Sequence, residues 1–322
     1  MTLLRVGLCP EITAPLLEKL NAAGLRTALD ILNCSLEELS GRTSIPYKNA
    51  VELRRAIAAR FTTAPVNGAE LYDRLFSSRA ILSSGSRRVD RLLGGGIYSG
   101  EVTEIVGVSG AGKTQLCHCL IASLLYQTAN FGSLYIDTRA CFSPQRVQQI
   151  VNFRLQQQKA TADLNRVLHV SVQDMPEMLP LVSQLRQDNI IQEQNIRLVI
   201  VDSITSLFAP LLHGDLLSDT LGYLSHLGLA LLALAHHRRL AIVVTNDMVA
   251  ATGAGAKPAL GKQWAHVPSV SLRLQHHVDA TASNGRDLRK IVLVKSTREP
   301  CGEEGVVVRI GQMGITSNVD KG

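Results

Sequence analysis

The sequence predicts an α/β fold in which a mostly parallel sheet carries helices on both faces, preceded by a small all-helical domain. Apolar strand-like runs alternate with helical periods from Ile81 onward, several of these strands are apolar throughout, and residues 1–60 show only helical periodicity. Strands that are apolar on both faces are typical of a parallel sheet covered by helices. The 322 residues are enough for one large and one small domain.

Four short amphipathic runs are expected to form the helical domain, residues 1–60. They cover Ile12–Leu20, Ala28–Leu32, a run after Ser35, and Tyr47–Phe61. Ser35 is a candidate N-cap because Glu38, three residues later, completes a capping box. Helical domains of this kind include modules that contact DNA backbones and modules that dock proteins, so the role of this one stays open at this point.

A linker is expected at residues 61–78. Pro65 biases Ala64 toward extended backbone and Gly68 permits a turn, so the preceding helix cannot continue. Phe61, with Ala64 three residues on, either completes the core of the helical domain or docks onto a neighbouring subunit by strand addition. The remaining residues, 79–322, are assigned to the α/β core.

Strands and helices are expected to alternate through this core. The predicted strands are Val102–Val106, Leu134–Asp137, Val167–Val172, Leu198–Asp202 and Ala241–Asn246, and the predicted helices are Gln115–Tyr126, Pro144–Gln158, Met178–Arg186 and Leu217–His237. Three shorter runs near the end of the chain predict an antiparallel extension of the sheet. They are Val270–Leu274, Ile291–Val294 and Val306–Ile310.

The most specific motif is G-x-x-x-x-G-K-T, which lies between a predicted strand and a predicted helix. Its glycines let backbone N–H groups point at phosphate oxygens, and the helix adds the positive end of its dipole. Lys113 supplies a positive charge for the β- and γ-phosphates, and the Thr114 hydroxyl can ligate Mg²⁺. The sequence therefore predicts binding of a nucleoside triphosphate by Gly107, Val108, Ser109, Gly110, Ala111, Gly112, Lys113 and Thr114.

The second half of this site is expected at Asp202, which ends a buried strand and precedes Ser203. In phosphate-loop ATPases a carboxylate at this place holds Mg²⁺ through water. Capping of the next helix is the alternative role for Asp202. Thr114 and Asp202 are therefore the predicted Mg²⁺ residues, and Lys113 and Asp202 are the predicted catalytic residues.

Composition limits the partners only broadly. The net charge of +6 permits a nucleic-acid partner without demanding one, and aromatic residues, at 4%, are too sparse for a surface of several stacking rings. The six cysteines show no metal-ligand spacing and are expected to be reduced thiols inside the cell. We expect no signal peptide, and the most apolar stretch, Leu221–Ala235, is too short to span a bilayer.

Several motifs resemble the RecA-like recombinase family of archaea and eukaryotes. They are Ser84-Gly85, Val89–Gly96, Ile97–Ile105 and, directly after the phosphate loop, Gln115. The order of helical domain, linker and core also resembles that family, so the resemblance covers nearly the whole chain. Within the family, the D-type paralogues are the most similar, through Arg5–Pro10, Pro65–Ala69 and Lys257–Gly261 with Trp264.

The resemblance implies a RecA-like phosphate-loop ATPase core that uses ATP and Mg²⁺. It adds Gln115 and Arg146 to the nucleotide-binding residues, and it matches Arg146 to an arginine that packs on the adenine ring. A solvated helix charge is the alternative for Arg146. The resemblance also implies a DNA-repair role in homologous recombination, a nuclear location, and two DNA-contacting loops at residues 246–257 and 211–217.

The partners implied by the resemblance are other recombinase paralogues in a hetero-oligomer, with single-stranded or branched DNA and no membrane. Phe61 and Ala64 match the F-x-x-A linker motif, in which the ring and the alanine insert into the core of an adjacent subunit. A C-type paralogue would bind the ATPase core, and another paralogue would bind the N-terminal domain and linker.

Two residues depart from the family pattern. Arg139 stands where active recombinases have a glutamate that orients the attacking water, and a guanidinium, which stays protonated, cannot act as that base. Asp137, two residues earlier, is a poor substitute. Asp247 stands where a glutamine usually senses the γ-phosphate, and its negative charge is expected to repel phosphate.

These departures favour an ATP-binding subunit of a recombinase-paralogue complex with weak, DNA-dependent ATP hydrolysis. The alternative is an autonomous DNA-dependent ATPase that forms its own filament and exchanges strands. Arg139 and Asp247 separate the two, because a self-assembling ATPase is expected to keep both catalytic positions. A phosphate-loop protein with no DNA role is mildly disfavoured by the net charge and by three pairs of adjacent arginines, at 54–55, 87–88 and 238–239.

Overall fold

The computed structural model describes residues 3–61, 65–155, 163–211, 217–251, 255–277 and 287–317. The chain divides into two compact units, Met1–Arg74 and Leu75–Gly322. Each unit has its own hydrophobic core. None of the helices in the described ranges has the combined length and apolar character that a membrane span requires.

The N-terminal unit is built from short helices. They are α1 (Ala14–Ala22), α2 (Ala28–Asn33), α3 (Leu36–Thr43) and α4 (Tyr47–Phe61). Leu20, Ile31 and Ile57 are fully buried at its centre. The capping box of Ser35 and Glu38 is present as expected, and Thr27 forms a second one with Asp30. These caps satisfy N–H groups that the first turn of each helix leaves free.

The segment expected to be a linker contains a helix. Helix α5 runs from Gly68 to Ser78, and the side-chain oxygen of Asn67 accepts the Glu70 N–H over 2.9 Å at its start. In the sequence, this helix is indicated by the i,i+4 spacing of Leu71 and Leu75. In the described part of this segment, only residues 65–67 therefore lie outside a helix.

Ten strands of the larger unit form one sheet in the described residues. They are β3 (Val102–Gly107), β4 (Gly132–Asp137), β5 (Val167–Ser171), β6 (Ile196–Asp202), β7 (Ala241–Ala251), β8 (Gly255–Pro258), β9 (Val270–His276), β10 (Leu288–Lys295), β11 (Gly305–Gly311) and β12 (Gly314–Thr316). The order is β12-β11-β10-β9-β3-β7-β6-β4-β5, and β8 pairs with β7. A separate ladder joins β1 (Ile81–Leu82) to β2 (Ile97–Tyr98).

The sheet is mostly parallel, as predicted. Strand β3 is parallel to both β7 and β9, so the antiparallel extension begins only at β10. Strand β7 also runs beyond the predicted end at Asn246 to Ala251, where it forms a hairpin with β8.

Helices cover both faces of this sheet. They are α6 (Arg87–Leu92), α7 (Lys113–Gln127), α8 (Pro144–Arg154), α9 (Met175–Gln187), α10 (Ile190–Glu193), α11 (Ile204–Phe208), α12 (Leu217–Arg238) and α13 (Gly261–Trp264). One core contains residues of α7 and α8, and the other contains residues of α9 and α12. Along β6, Ile200 belongs to the first core and Val201 to the second, which explains why this strand is apolar throughout.

A buried carboxylate connects the central strand to the segment after the hairpin. Glu104 on β3 accepts hydrogen bonds from Asn246 Nδ2 (2.7 Å), Trp264 Nε1 (2.9 Å) and Ser271 Oγ (2.8 Å). Neutral donors thus satisfy a charge that is costly to bury alone. This network fixes β3 immediately before the phosphate loop.

Replacing Glu104 with glutamine should therefore destabilise the protein. The new amide would turn N–H groups toward side-chain donors, which should lower the free energy of unfolding by about 1–3 kcal/mol. Urea denaturation followed by circular dichroism measures this change. Glu304→Gln is the matched control, since Glu304 is exposed, and equal losses in the two variants would contradict the role of the network.

Candidate functional site

The loop between β3 and α7 requires glycine at two positions. A side chain at Gly107 would place its Cβ 2.7 Å from the carbonyl oxygen of Leu274. Gly112 has a φ of +102°, which other residues adopt only with strain. Because α7 begins at Lys113, the loop leads into the positive end of a helix, where N–H groups lack intrahelical partners. The loop is therefore suited to an anion.

The ammonium group of Lys113 is buried and has three close partners. It donates to the carbonyl oxygens of Gly107 (2.7 Å) and Val108 (3.2 Å), and its third close partner is Asp247 Oδ1 at 2.7 Å. The two loop carbonyls are its hydrogen-bond partners, whereas the close contact with Asp247 is an ion pair that compensates its charge. Lys113 is thus held at the mouth of the loop.

Asp202 lies at the end of β6 and is held by hydroxyl groups. Its Oδ2 accepts from Thr114 Oγ1 (2.6 Å) and from the Tyr135 hydroxyl (2.7 Å), and its Oδ1 accepts from Thr245 Oγ1 (2.5 Å). Burial, followed by the nearby Cys117 and Asp202, raises the pKa of Tyr135, so its hydroxyl stays a donor. Capping of the next helix is not the role of Asp202, because the side chain of Ser203 caps α11.

Thr114 and Asp202 fit the metal that the sequence predicts beside the loop. The Thr114 hydroxyl and the Asp202 carboxylate are in direct contact, and oxygen atoms of these two kinds are the ligands that Mg²⁺ prefers. Thr114 lies in the first turn of α7 and Asp202 ends β6, so the backbone on either side of the pair is fixed.

Asp137, at the end of β4, caps the loop that follows it. Its carboxylate accepts the N–H groups of Arg139 (3.1 Å), Cys141 (3.2 Å) and Phe142 (2.9 Å). Burial alone would raise the pKa of Asp137, but these N–H groups and the His169 ring outweigh it and hold the pKa below its ordinary value. With its oxygens engaged in this way, Asp137 is poorly placed to replace a catalytic glutamate.

Asp247 lies between two cations. Its Oδ2 is 3.0 Å from Arg139 Nη1, and its Oδ1 faces Lys113. The parallel pairing of β3 and β7 sets Asp247 in register with Gly107, the first residue of the loop. The expectation of a bare negative charge facing phosphate is therefore incomplete, because ion pairs compensate this carboxylate in the structure.

A cavity of about 450 Å³ opens beside these groups, which is in the range of small-molecule sites. It is lined by Ser109, Gly110, Gly112, Lys113, Thr114, Gln115, Arg139, Cys141 and Asp202. The structure thus brings most of the predicted nucleotide residues together around one space, with Arg139 among them. A phosphate chain fits the loop because the glycines leave its backbone accessible.

Arg146 contacts the start of α7. Its Nε donates to Gln115 Oε1 over 3.0 Å, and its Nη atoms donate to the carbonyl oxygens of Gly311 and Gln312. A solvated helix charge is therefore not the state of this residue. Its guanidinium is anchored beside the residue that directly follows the phosphate loop.

Sequence reasoning missed two residues that contact the phosphate loop. Arg289 Nε, on β10, donates to the carbonyl oxygen of Ala111 over 3.0 Å. Ile310, on β11, is so close that a Cβ on Gly112 would lie 2.5 Å from its Cδ1 atom. No local pattern identifies these contacts, because antiparallel pairing late in the chain creates them.

Other predicted residues lie away from this cavity or outside the described residues. Phe61 ends α4 and is 42% exposed, whereas Ala64 lies outside the described residues. In the first predicted DNA loop, β7 and β8 pair from Met248 to Pro258, and residues 252–254 are not described. In the second, residues 212–216 are not described.

Comparison with protein-family models gives two matches. The model described as Rad51 matches residues 77–318, and the model described as RAD51D, N-terminal domain, matches residues 1–59. The chain belongs to the Rad51 family. The resemblance to RecA-like recombinases and to their D-type paralogues is thereby confirmed, as is a RecA-like core preceded by a helical region.

Curated relatives agree with the Rad51 assignment over most of the chain. "DNA repair protein RAD51 homolog 4" of Bos taurus is 37% identical over 322 residues, covering 98% of this chain and 97% of that protein. The protein of the same name in Mus musculus is 37% identical over 320 residues, covering 98% and 96%. "DNA repair and recombination protein RadA" of Metallosphaera sedula is 31% identical over 313 residues, covering 93% and 91%.

Members of the Rad51 family bind ATP with a metal ion and are ATPases. A nucleoside-triphosphate site is thus the expected property of this family. Two features of the site depart from the family pattern described above: Arg139, and its ion pair with Asp247.

His118 should make the protein less stable in mild acid. It lies on α7 against Tyr135 and Phe142, and burial lowers its pKa to about 4. As the pH falls below about 6.5, His118 binds a proton in the unfolded chain but stays neutral in the folded chain. The free energy of unfolding therefore decreases by about 2 kcal/mol by pH 5. The variant His118→Gln keeps an acceptor for the Ser143 N–H. Its free energy of unfolding should decrease less in acid than that of the unmodified protein.

Urea unfolding at pH 7 and pH 5 measures this difference. His266→Gln is the control, because His266 is exposed. The explanation is wrong if His118→Gln retains the full acid loss of the unmodified protein.

Proposed function

We propose that the protein is an ATP-binding and DNA-binding subunit of a recombinase-paralogue complex. In this role it supports homologous-recombination repair of DNA breaks and damaged forks in the nucleus, and it hydrolyses ATP only weakly. The observation that carries the proposal is an intact phosphate loop beside Arg139, in a chain whose relatives are DNA repair proteins. ATP then acts mainly as a ligand that stabilises the subunit for assembly.

Most of the residues that would hold Mg²⁺-ATP surround one cavity. Residues 107–112 supply backbone N–H groups, Lys113 supplies charge, and Thr114 and Asp202 supply oxygen ligands for Mg²⁺. When bound, Mg²⁺ neutralises negative charge on the phosphates. Gln115 and Arg146 would contact the nucleotide beyond the loop, with Arg146 packing on the adenine ring.

Weak hydrolysis follows from the absence of a general base among the described residues of the cavity lining. Arg139 remains protonated and cannot accept the proton of an attacking water. Asp137 is directed at backbone N–H groups, and Asp247 is engaged by two cations. Asp202 accepts hydroxyl donors on both of its oxygens and is suited to the metal.

DNA binding is proposed for the hairpin of β7 and β8. The hairpin starts beside the nucleotide cavity, at Asp247, and carries Lys257 on its second strand. Residues 246–257 are the segment that the resemblance assigns to a DNA-contacting loop. The chain's net charge of +6 favours attraction to phosphate backbones.

Two surfaces are proposed for partner subunits. Phe61 offers an exposed ring at the end of α4 for one paralogue, with Ala64 as its companion. In the larger unit, β5 is an edge strand, and an apolar cavity of about 340 Å³ lies beside it, lined by Leu168, Val170, Leu181, Leu185 and Ile190 among others. The C-type paralogue would add a strand to this edge and insert an apolar side chain into the cavity.

ATP binding and turnover test the proposal directly. The purified chain should bind Mg²⁺-ATP, and Lys113→Ala should weaken binding by about 100-fold because a charged phosphate contact is lost. Turnover should stay near background with and without single-stranded DNA. Replacing Arg139 with glutamate and Asp247 with glutamine together should raise turnover about tenfold or more, since a base is restored.

DNA-stimulated turnover of several molecules per minute by the unmodified chain would contradict this proposal. That result would favour the second candidate, an autonomous DNA-dependent ATPase that forms its own filament. This second candidate is supported by the intact arrangement of the loop, Lys113 and Asp202.

Partner surfaces are tested by capture of purified paralogues on the full chain. Phe61→Ala should reduce capture of the paralogue bound by the N-terminal unit by about tenfold, and leave the C-type paralogue bound. Ile190→Asp, at a residue that is 40% exposed, should do the reverse by placing a charge in the apolar cavity. Tyr47→Ala is the control on α4, and loss of the same partner in both variants would refute the two-surface arrangement.

A further inference from the structure

The carboxylate of Asp247 bridges the two cations that line the candidate ATP cavity. Its Oδ1 lies 2.7 Å from Lys113 Nζ, and its Oδ2 lies 3.0 Å from Arg139 Nη1. The Lys113 side chain is 8% exposed, the Asp247 side chain 24% and the Arg139 side chain 46%. The more buried pair is therefore the one that contains the phosphate-loop lysine.

Lys113 must exchange a partner before its charge can pair with a phosphate. Two of its partners are carbonyl oxygens of the loop itself, at Gly107 and Val108. The third is the carboxylate on the neighbouring strand. When one anion replaces another, the positive charge of Lys113 stays compensated. Asp247 is therefore the partner that a phosphate would replace.

The backbone of Asp247 is fixed, so this exchange involves only its side chain. The Asp247 N–H donates to Thr205 Oγ1 over 2.8 Å, and its carbonyl oxygen accepts the Ala259 N–H over 2.8 Å. Its position opposite Gly107 is set by the parallel ladder. A carboxylate released by Lys113 therefore stays close to the site and remains within reach of Arg139.

We propose that Asp247 is an internal anion that competes with the terminal phosphate of ATP for Lys113, and that Arg139 keeps the Asp247 carboxylate when Lys113 releases it. Asp247 then determines how strongly the site prefers one nucleotide over another. ATP carries a phosphate and a negative charge that ADP lacks, so a retained carboxylate weakens ATP binding more than ADP binding. Arg139 is a positioning residue that limits this repulsion.

This inference rests on the proposed ATP site and predicts opposite effects for its two residues. Asp247→Asn should tighten ATP binding about tenfold and ADP binding about threefold or less, because the competing charge is gone. Arg139→Gln should weaken ATP binding about tenfold by leaving the released carboxylate unpaired. In the Asp247→Asn background, Arg139→Gln should change ATP binding by less than about twofold.

Isothermal titration calorimetry on the full chain, with Mg²⁺ and either ADP or a non-hydrolysable ATP analogue, measures these effects without any turnover. The set comprises the unmodified protein, the two single variants, the double variant and Glu304→Gln as a control for loss of one carboxylate. Glu304 is exposed and does not line the cavity. Circular dichroism of each variant excludes misfolding as the cause of a change.

The outcomes separate this inference from the proposed function. If the unmodified protein binds both nucleotides and Asp247→Asn leaves the ratio of the two dissociation constants unchanged, the competing role of Asp247 is wrong while the ATP site stands. If Arg139→Gln has the same effect with and without Asp247, Arg139 acts on the nucleotide itself and the positioning role is wrong. If neither the unmodified protein nor Asp247→Asn binds nucleotide, both the site and the inference are overturned.

Discussion

Parallel pairing of four neighbouring strands is the constraint on which the candidate site depends. Parallel strands end at the same edge of a sheet, and the register here sets Asp247 opposite Gly107 and Asp202 opposite Asp137. Residues more than one hundred positions apart are thereby fixed around the start of one helix. Since each strand is buried on both faces, a slip of register would expose apolar side chains, so packing energy also holds the site together.

The three carboxylates at this edge of the parallel sheet are compensated in three different ways. Asp137 takes backbone N–H groups, Asp202 takes hydroxyl groups, and Asp247 takes cations. Hydroxyl donors leave the negative charge of Asp202 available to a divalent metal. Cations, by contrast, cancel the charge of Asp247 only while Lys113 and Arg139 remain unoccupied. The same residue type therefore meets three distinct electrostatic environments within one edge of the sheet.

The sequence was sufficient for those parts of the site that local patterns specify. The glycines of the loop, Lys113, Thr114 and the strand-terminal Asp202 all follow from backbone geometry and phosphate chemistry, and the α/β alternation follows from apolar runs. Arg289 and Ile310 could not be predicted, because their contacts with the loop depend on how β10 and β11 pair. The ion pairs of Asp247 were hidden for a related reason, since they join β7 to the start of α7 and to the segment after β4. Helix α5 was missed because Pro65 and Gly68 outweighed a short amphipathic pattern.

The position of Trp264 gives the molecule a built-in optical probe. It is the chain's single tryptophan, it is 1% exposed, and its indole N–H is bonded to Glu104 on the strand that leads into the phosphate loop. Helix α13, which carries it, directly follows the β7–β8 hairpin. Intrinsic fluorescence excited at the indole band therefore reports on the larger unit alone. Movement of the hairpin or of β3 would change the polarity around this ring, which makes label-free observation of both possible in the intact chain.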